Sequence, residues 1–502
     1  MRRSLRSASQ LARCGTRPLH SSSRPLCTSF GQHTAKVGIS RRRYASVAAA
    51  ELQFGQPLHE THPHILRAGE VTPGISALEY ATRRARLAAK LPHNGIAIIA
   101  SSDIKYRSGS VFYEFHQDSN FFYLTGFNEP EALAIIEKTG PGPEHIFHLY
   151  VRPKDPRAEQ WEGARSGVQA ALDVFNADEA GDINQLHSVL PPIVAEASEV
   201  YTDIVTGKSA LSSFSRLFLG PSSRTEGFAK ILEKSKVKQL RPIINDLRVI
   251  KSEAEIANMR TAGRASGRAF TKAMGRRFTL EKDLTAFLEY KFKTLGCDTS
   301  AYVPVVAGGE HALNIHYVRN DDVLRDGQLV LVDAGGEYGG YITDITRTWP
   351  VNGKFTDPQK ELYEAILRVQ CSCVSLCRAS AGFSLDQIHR IAENGLRDAL
   401  SQLGFDMSGN ALETLFPHHL GHFVGLDVHD TPGYPRRGNL QVGQCVTIEP
   451  GIYVPDDERW PKHFRGIGIR IEDSVCVQEE NPLVLTTEAV KEVVDIEALS
   501  ES

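Results

Sequence analysis

Cysteine is scarce in this 502-residue chain. The eight present, Cys14, Cys27, Cys297, Cys371, Cys373, Cys377, Cys445 and Cys476, are irregularly spaced. That argues against the dense disulfide framework of a small secreted domain. No run of about 18 or more apolar residues occurs, so no membrane-spanning helix is expected. The first fifty residues contain no Asp or Glu, and the first acid is Glu51. They also lack the continuous apolar stretch, about 7–15 residues long, that a secretory signal requires. Nine Arg and one Lys give this segment a charge of +10, so the net charge of -3 hides a body that carries -13. An acidic body argues against general nucleic-acid binding. Hydrophobic residues make up 41%, enough to bury sizeable cores, which excludes a mainly disordered chain.

The opening MRRSLRSASQLARCGTRPLHSSSRPLCTSF is rich in Arg and Ser. With no acid over fifty residues, residues 1–45 are expected to be an organellar transit peptide rather than a plain basic tail. The stretch Arg41-Arg42-Arg43-Tyr44-Ala45-Ser46 resembles a matrix processing site, with Arg two positions before a cut at Arg43/Tyr44. Trimming of Tyr44 would then leave Ala45 first, and a cut at a neighbouring position fits the spacing equally well. The mitochondrial matrix is the expected location.

The length suits a leader followed by two domains. GIAIIASSD (95–103), ALAIIEK (132–138) and HIFHLYVRP (145–153) read as strands, and 77–91 has helical spacing. Residues 60–245 are therefore expected to form an α/β domain. Ser252 and Glu255 form a capping box that opens a long helix over 251–274. The boundary is placed just before it, near Asp246, with a second domain over 246–490. Helices are expected there near 281–295, 357–379 and 384–403. Seven aromatics between 107 and 132 read mostly as core and loop packing, and CSCVSLC (371–377) as small apolar packing on a helix rather than a zinc site. The Gly-rich DAGGEYGGY lacks the spacing and Lys of a phosphate loop and reads as turns.

Four segments carry the chemistry. In QLVLVDAGGEYGGYITDITRTW (328–349), LVLVD and YITDITRTW are strands around a Gly-rich turn. Pairing Ala334 with Tyr341 sets Asp333 opposite Ile342. Asp344 then lies two residues further along on the same face. Carboxylates about 7 Å apart at the backbone can straddle two metal ions, whereas a one-residue slip would separate their faces. Either Asp serves as a turn cap in the structural alternative. PHHLGHFVGLDVHDTP (417–432) holds four His in twelve residues, and two glycines disfavour a helix, so these His belong on strand and loop. CVTIEPGIYV (445–454) presents Glu449 before a Pro-Gly turn. GIGIRIEDSVCV (466–477) alternates, with Gly468, Arg470 and Glu472 on one face. Arg470 and Glu472 read as a plain ion pair or as a ligand oriented by its neighbour. Four carboxylates and one His make an oxygen-rich set whose charge balances two divalent ions. Such hard sites suit Mn(II) or Mg(II), and two ions together activate water and polarise a carbonyl.

The ordered set Asp333, Asp344, His422, Glu449, Glu472, with the two Asp eleven positions apart, resembles the metal site of the M24 pita-bread metallopeptidases. HHLGHFVGLDVHD resembles the aminopeptidase P and prolidase signature, and NFFYLTGFNEPEA the amino-terminal domain of aminopeptidase P. His419 departs from the pattern, which usually has a small residue there. The resemblance spans roughly 60–480, and the basic leader narrows it to the family's mitochondrial branch. It implies an α+β chain, with an α/β amino-terminal domain before a pita-bread catalytic domain. It implies two divalent ions, Mn(II) by expectation, with Asp333 on one, Asp344 and Glu472 on both, and His422 and Glu449 on the second. Glu449 would also shuttle a proton. His316 and His429 would act on the scissile region, and His418 and Arg470 would line or support the substrate pocket. The implied activity is removal of one amino-terminal residue from imported mitochondrial proteins after presequence cleavage. The alternatives are a strict Xaa-Pro aminopeptidase, a prolidase acting on dipeptides, and a non-catalytic binding module. Peptide amino termini are the expected partners, and homo-oligomer formation is left open.

Overall fold

The computed structural model describes residues 53–204, 231–232 and 236–500. The leader and its processing stretch at 41–46 lie outside these residues. Apolar runs set the first sheet. Gly95–Ala100, Leu133–Lys138 and His145–Val151 pair antiparallel at the centre of six strands. Glu199–Thr202 and then Val237–Lys238 add in parallel on one side, and Glu179–Asp182 on the other. The central strands are buried along most of their length, which explains their near-continuous hydrophobicity. Helix Ala77–Lys90 starts at Ser76, whose side chain accepts the Glu79 N–H.

The long helix spans Glu253–Met274, and the Ser252–Glu255 capping box is formed in both directions. Helices Glu281–Thr294, Asp357–Ser375 and Leu385–Gln402 follow, the second ending four residues before the expected point. Cys373 and Cys377 are buried and Cys371 is exposed. Short antiparallel sheets carry the rest. One orders Val305–Gly308, Leu329–Ala334 and Ile345–Pro350, and another orders Cys445–Ile448, Asp473–Cys476 and Leu483–Val484. Phe270, Leu284, Leu288, Phe292, Val332, Trp349, Leu362 and Ile366 share the core between helices and sheet. Of the seven aromatics in 107–132, Phe121, Phe122, Tyr123 and Phe127 are buried, while Phe112 and Tyr113 are exposed.

The buried aromatics seal the amino-terminal sheet onto the second half of the chain, in one core with Tyr341, Ile342, Val424 and Leu426. Charged side chains inside that seam find opposite charges or hydroxyls, as burial demands. Arg83 reaches Tyr341 Oη at 3.1 Å and Glu255 at 3.4 Å, and Tyr341 donates to Glu255 at 2.7 Å. Asp430 is held by Arg248 and, at 2.9 Å, by Lys251.

The hairpin register differs from the expected one. Tyr338 pairs with Tyr341 around a two-residue turn, and Gly339 and Gly340 have φ of 58° and 82°. Such a turn needs positive φ at both centres, which Gly supplies without strain. Asp333 therefore faces Thr346 rather than Ile342. The displacement is four positions, an even number, so Asp344 stays on the face of Asp333.

Candidate active site

The expected strand over 466–477 is two strands. Gly468–Arg470 pairs with Gly451–Tyr453, and Asp473–Cys476 pairs with Cys445–Ile448. Ile471–Glu472 and Glu449–Pro450 lie opposite each other at this change of sheet. Pro450 cannot donate a ladder hydrogen bond, which suits the break. Both glutamates are thus presented at a corner. The His-rich segment is loop with a single bridge, Phe423 to Val446. Gly421 is required there: a Cβ would lie 1.9 Å from the carbonyl oxygen of Thr447.

These elements converge. Ligand atoms of Asp344, His422 and Glu472 lie within 4.8 Å of one another. His422 Nε2 is 3.5 Å from Asp344 Oδ2 and 3.5 Å from Glu449 Oε1, and its Nδ1 is fixed 3.0 Å from the Phe423 carbonyl. A ring nitrogen held by a backbone carbonyl sets the tautomer and aims Nε2 into the cluster. Asp333 joins through Tyr302, whose hydroxyl donates to Asp333 Oδ1 at 2.7 Å and to Asp344 Oδ1. The other oxygen of Asp333 accepts from Arg470 at 2.6 Å. Arg470 does not pair with Glu472 directly. The hydroxyl of Thr346 stands between them, accepting from Arg470 Nε at 3.0 Å and donating to Glu472 Oε2 at 2.7 Å. Arg470 also donates to Tyr453 Oη at 2.8 Å, and His418 Nε2 meets the same oxygen at 2.9 Å.

His429 stands edge-on to His422, ring centres 4.5 Å apart, on the exposed side of the cluster. His316 is also exposed and close enough that its charge weighs on His429. His419 is set apart, stacked on His389 at 4.3 Å and facing Asp386. Of the nine expected site residues, Asp333, Asp344, His418, His422, Glu449, Arg470 and Glu472 are linked directly or through the hydroxyls of Tyr302, Thr346 and Tyr453, and His429 and His316 stand beside them. Tyr302, Thr346 and Tyr453 were not anticipated. Thr346 has a sequence signal, since it alternates with Asp344 on one face, but Tyr302 has none.

The charges show what the cluster needs. Burial, then repulsion from Asp344, pushes the Asp333 carboxyl up to about 6. Burial also raises Glu449 to about 7, and Glu472 goes well above its usual range under burial and repulsion from Asp344 and Glu449. Asp344 stays low despite burial because His422 bonds it, and His422 is raised to about 9 against its own burial by Asp344 and Glu449. Glu472 Oε1 is buried without a hydrogen-bond partner. A fully buried carboxylate oxygen with no donor is costly. Crowded acids and an orphaned oxygen fit divalent cations, for which the donor set is hard and oxygen-rich.

Comparison with known proteins agrees. A family model for metallopeptidase family M24 matches residues 257–479, and one for the aminopeptidase P amino-terminal domain matches 80–201. Intermediate cleaving peptidase 55 of Saccharomyces cerevisiae is 47% identical over 478 residues, covering 94% of this chain and 92% of the relative. The chain belongs to metallopeptidase family M24. A crystal structure of that yeast protein lacking its amino-terminal 58 residues superposes with a TM-score of 0.79 at 46% identity, covering 86% of this chain and 99% of the other. Human Xaa-Pro aminopeptidase 3 is 40% identical, covering 92% and 94%. A relative in Arabidopsis thaliana, called intermediate cleaving peptidase 55, mitochondrial, is 37% identical, covering 92% and 90%. The family makes this chain an aminopeptidase P-type metallopeptidase that requires divalent metal. No helix among the described residues is long and apolar enough to cross a membrane.

Proposed function

We propose that this aminopeptidase removes a single bulky residue, such as Tyr, Phe or Leu, from the amino termini of imported proteins in the mitochondrial matrix after presequence cleavage. The observation that carries the chemistry is the convergence of Asp344, His422 and Glu472 within 4.8 Å around an orphaned carboxylate oxygen. The acid-free basic leader supports the location. Its Arg42-Arg43-Tyr44-Ala45 stretch also has the form that a substrate would take. The division into domains at 60–245 and 246–490 belongs to the same reading.

Asp333, Asp344, His422, Glu449 and Glu472 would hold two divalent ions, Mn(II) by the hardness of the donors. Such ions, when bound, supply Lewis acidity toward a carbonyl and a lowered pKa for water. The chain's own groups do the rest. The acidic cluster receives the free amine of the substrate. Water attacks the first peptide carbonyl, and Glu449 accepts its proton and returns it to the departing amine. His429 and His316, on the exposed rim, donate to the oxygen that gains charge in the tetrahedral intermediate. Arg470 and Tyr302 fix Asp333 through both of its oxygens, so the carboxylate is positioned before substrate arrives.

The test is a matched pair of peptides, Tyr-Ala-Ser-X and Tyr-Pro-Ser-X, given to purified protein with Mn(II). Release of Tyr from the alanine peptide is expected. Cleavage of the proline peptide alone would leave a strict Xaa-Pro aminopeptidase, and cleavage of dipeptides alone a prolidase.

A further inference from the structure

Two buried cysteines face each other on the strands that lead to Glu449 and Glu472. Cys445 is register partner to Cys476, and both are fully buried. The Cys445 carbonyl points away from Cys476 and accepts Val424 N–H at 3.1 Å. The pair is therefore of the non-hydrogen-bonded kind, in which opposed Cα atoms lie about 4.5 Å apart. That falls within the disulfide range of about 4.4–6.8 Å. The Cys476 thiol donates to the Val477 carbonyl at 3.8 Å and accepts from the Gln478 amide at 3.3 Å.

The same ladder continues toward the site. Thr447 pairs with Ser474, and the register carried on sets Glu449 opposite Glu472. Thiol, hydroxyl and carboxylate rows thus share one face. The hydroxyl row holds the site's backbone. Thr447 Oγ1 accepts the His422 N–H at 3.0 Å and donates to Glu449 Oε1 at 3.3 Å. Ser474 Oγ accepts the Asp344 N–H at 3.1 Å and donates to its carbonyl at 2.8 Å.

We propose that Cys445 and Cys476 are an oxidisable dithiol whose closure to a disulfide shifts the hydroxyl and carboxylate rows and lowers peptidase activity. The oxidant is a hydroperoxide such as hydrogen peroxide, small and uncharged. The thiolate sulfur of Cys476 attacks one peroxide oxygen, the O–O bond breaks, and water leaves once a proton is supplied, giving a sulfenic acid. The sulfur of Cys445 then attacks that sulfur and expels a second water. Two thiols are oxidised and one peroxide is reduced, giving one disulfide and two waters. Cys476 is suited to the first step. The facing Cys445 thiol, against the effect of burial and with the Gln478 amide donating at 3.3 Å and the charge of Lys251, holds the Cys476 thiol below the usual value. Burial pushes Cys297 and Cys373 up to about 12 instead. Opposed Cβ atoms in such a pair lie about 4.5–5.5 Å apart, and a disulfide brings them to about 3.8 Å. The strands must therefore close at the thiol row, and the adjoining row cannot remain in place in a packed core.

The effect on activity rests on the aminopeptidase reading, but the crosslink does not. Purified metal-loaded enzyme is titrated with hydrogen peroxide, alkylated, digested and mapped by mass spectrometry, with Tyr-Ala-Ser-X hydrolysis followed alongside. A Cys445–Cys476 linked peptide is expected, with activity falling at least tenfold and returning after dithiothreitol. Cys445→Ala and Cys476→Ala are each expected to keep their starting activity and resist the loss. The mapping of wild-type protein stands even if a variant fails to fold. Absence of that crosslink, or crosslinking confined to Cys371, Cys373 and Cys377, overturns the proposal. A crosslink with unchanged activity overturns the switch. Protein inactive on all peptides before oxidation that still forms the crosslink would count against the enzymatic reading and leave the dithiol standing.

Discussion

Arg470 donates to Asp333 Oδ2 at 2.6 Å across 137 residues of sequence. The guanidinium is fully buried, and Tyr453, Thr346 and Asp333 take its hydrogen bonds. An Arg so enclosed acts as a fixed positive wall that keeps one carboxylate of the cluster ionised and aimed.

The carboxylates that converge on His422 should be indispensable. Asp344→Asn and Glu472→Gln are expected to abolish hydrolysis while circular dichroism remains that of the folded protein. Near-normal turnover in either folded variant would remove these residues from the site.

Tyr302 bonds both Asp333 and Asp344. Removing its hydroxyl in Tyr302→Phe leaves two buried carboxylates without their shared donor. A loss of about 10–100-fold in metal affinity or kcat/KM is expected, the usual scale for a group that orients ligands. Chelator competition and kinetics on the same preparation measure both. Unchanged values would mean that Arg470 and His422 suffice to orient the pair.

His429 is exposed, and no ligand-type contact to the carboxylates is formed by it. His429→Ala is expected to keep its metal and lose turnover by about 10²-fold, the scale for one positioned proton donor or oxyanion partner. Metal content falling in step with activity would make His429 a ligand instead.

Asp473 follows Glu472 and is enclosed by Arg347 at 2.7 Å, Lys491 at 2.6 Å and Thr486 at 2.8 Å. Despite burial, the two cations hold its carboxyl far below the ordinary range. Its stabilising effect is therefore present above the unfolded value of about 3.9 and is lost as pH falls toward the folded one. Asp473→Asn is expected to destabilise by about 3–5 kcal/mol at pH 7, because Arg347 keeps its burial and loses its counter-charge. Chemical denaturation at pH 7 and below pH 4 checks both parts. The gap between wild type and variant should narrow in acid, and a gap independent of pH would contradict the ion-pair account.

The leader chemistry predicts a mature amino terminus near Tyr44 or Ala45. Amino-terminal sequencing of protein recovered from mitochondria decides it, and an intact Met1 on matrix protein would refute it.

The sequence by itself determined the elements and their polarity. Apolar runs marked most of the strands and alternation marked 466–477, the Ser252–Glu255 box marked the long helix, and acids closing apolar runs marked Asp333, Glu449 and Glu472. The shared face of Asp333 and Asp344 rested on an assumed pairing, and it held because the true register differs from that pairing by an even number of positions, which an alternating side-chain period survives. The register itself was decided by the Gly339–Gly340 turn, whose twist matches paired strands only with both glycines at positive φ. The division of 466–477 into two strands was likewise decided by sheet packing, since alternation reads the same across a corner. Tyr302 reaches Asp333 from 31 residues away, and Thr346 stands between Arg470 and Glu472 from more than 120 away. No local pattern encodes such meetings. They follow from which sheet faces close on each other, and only tertiary packing specifies that.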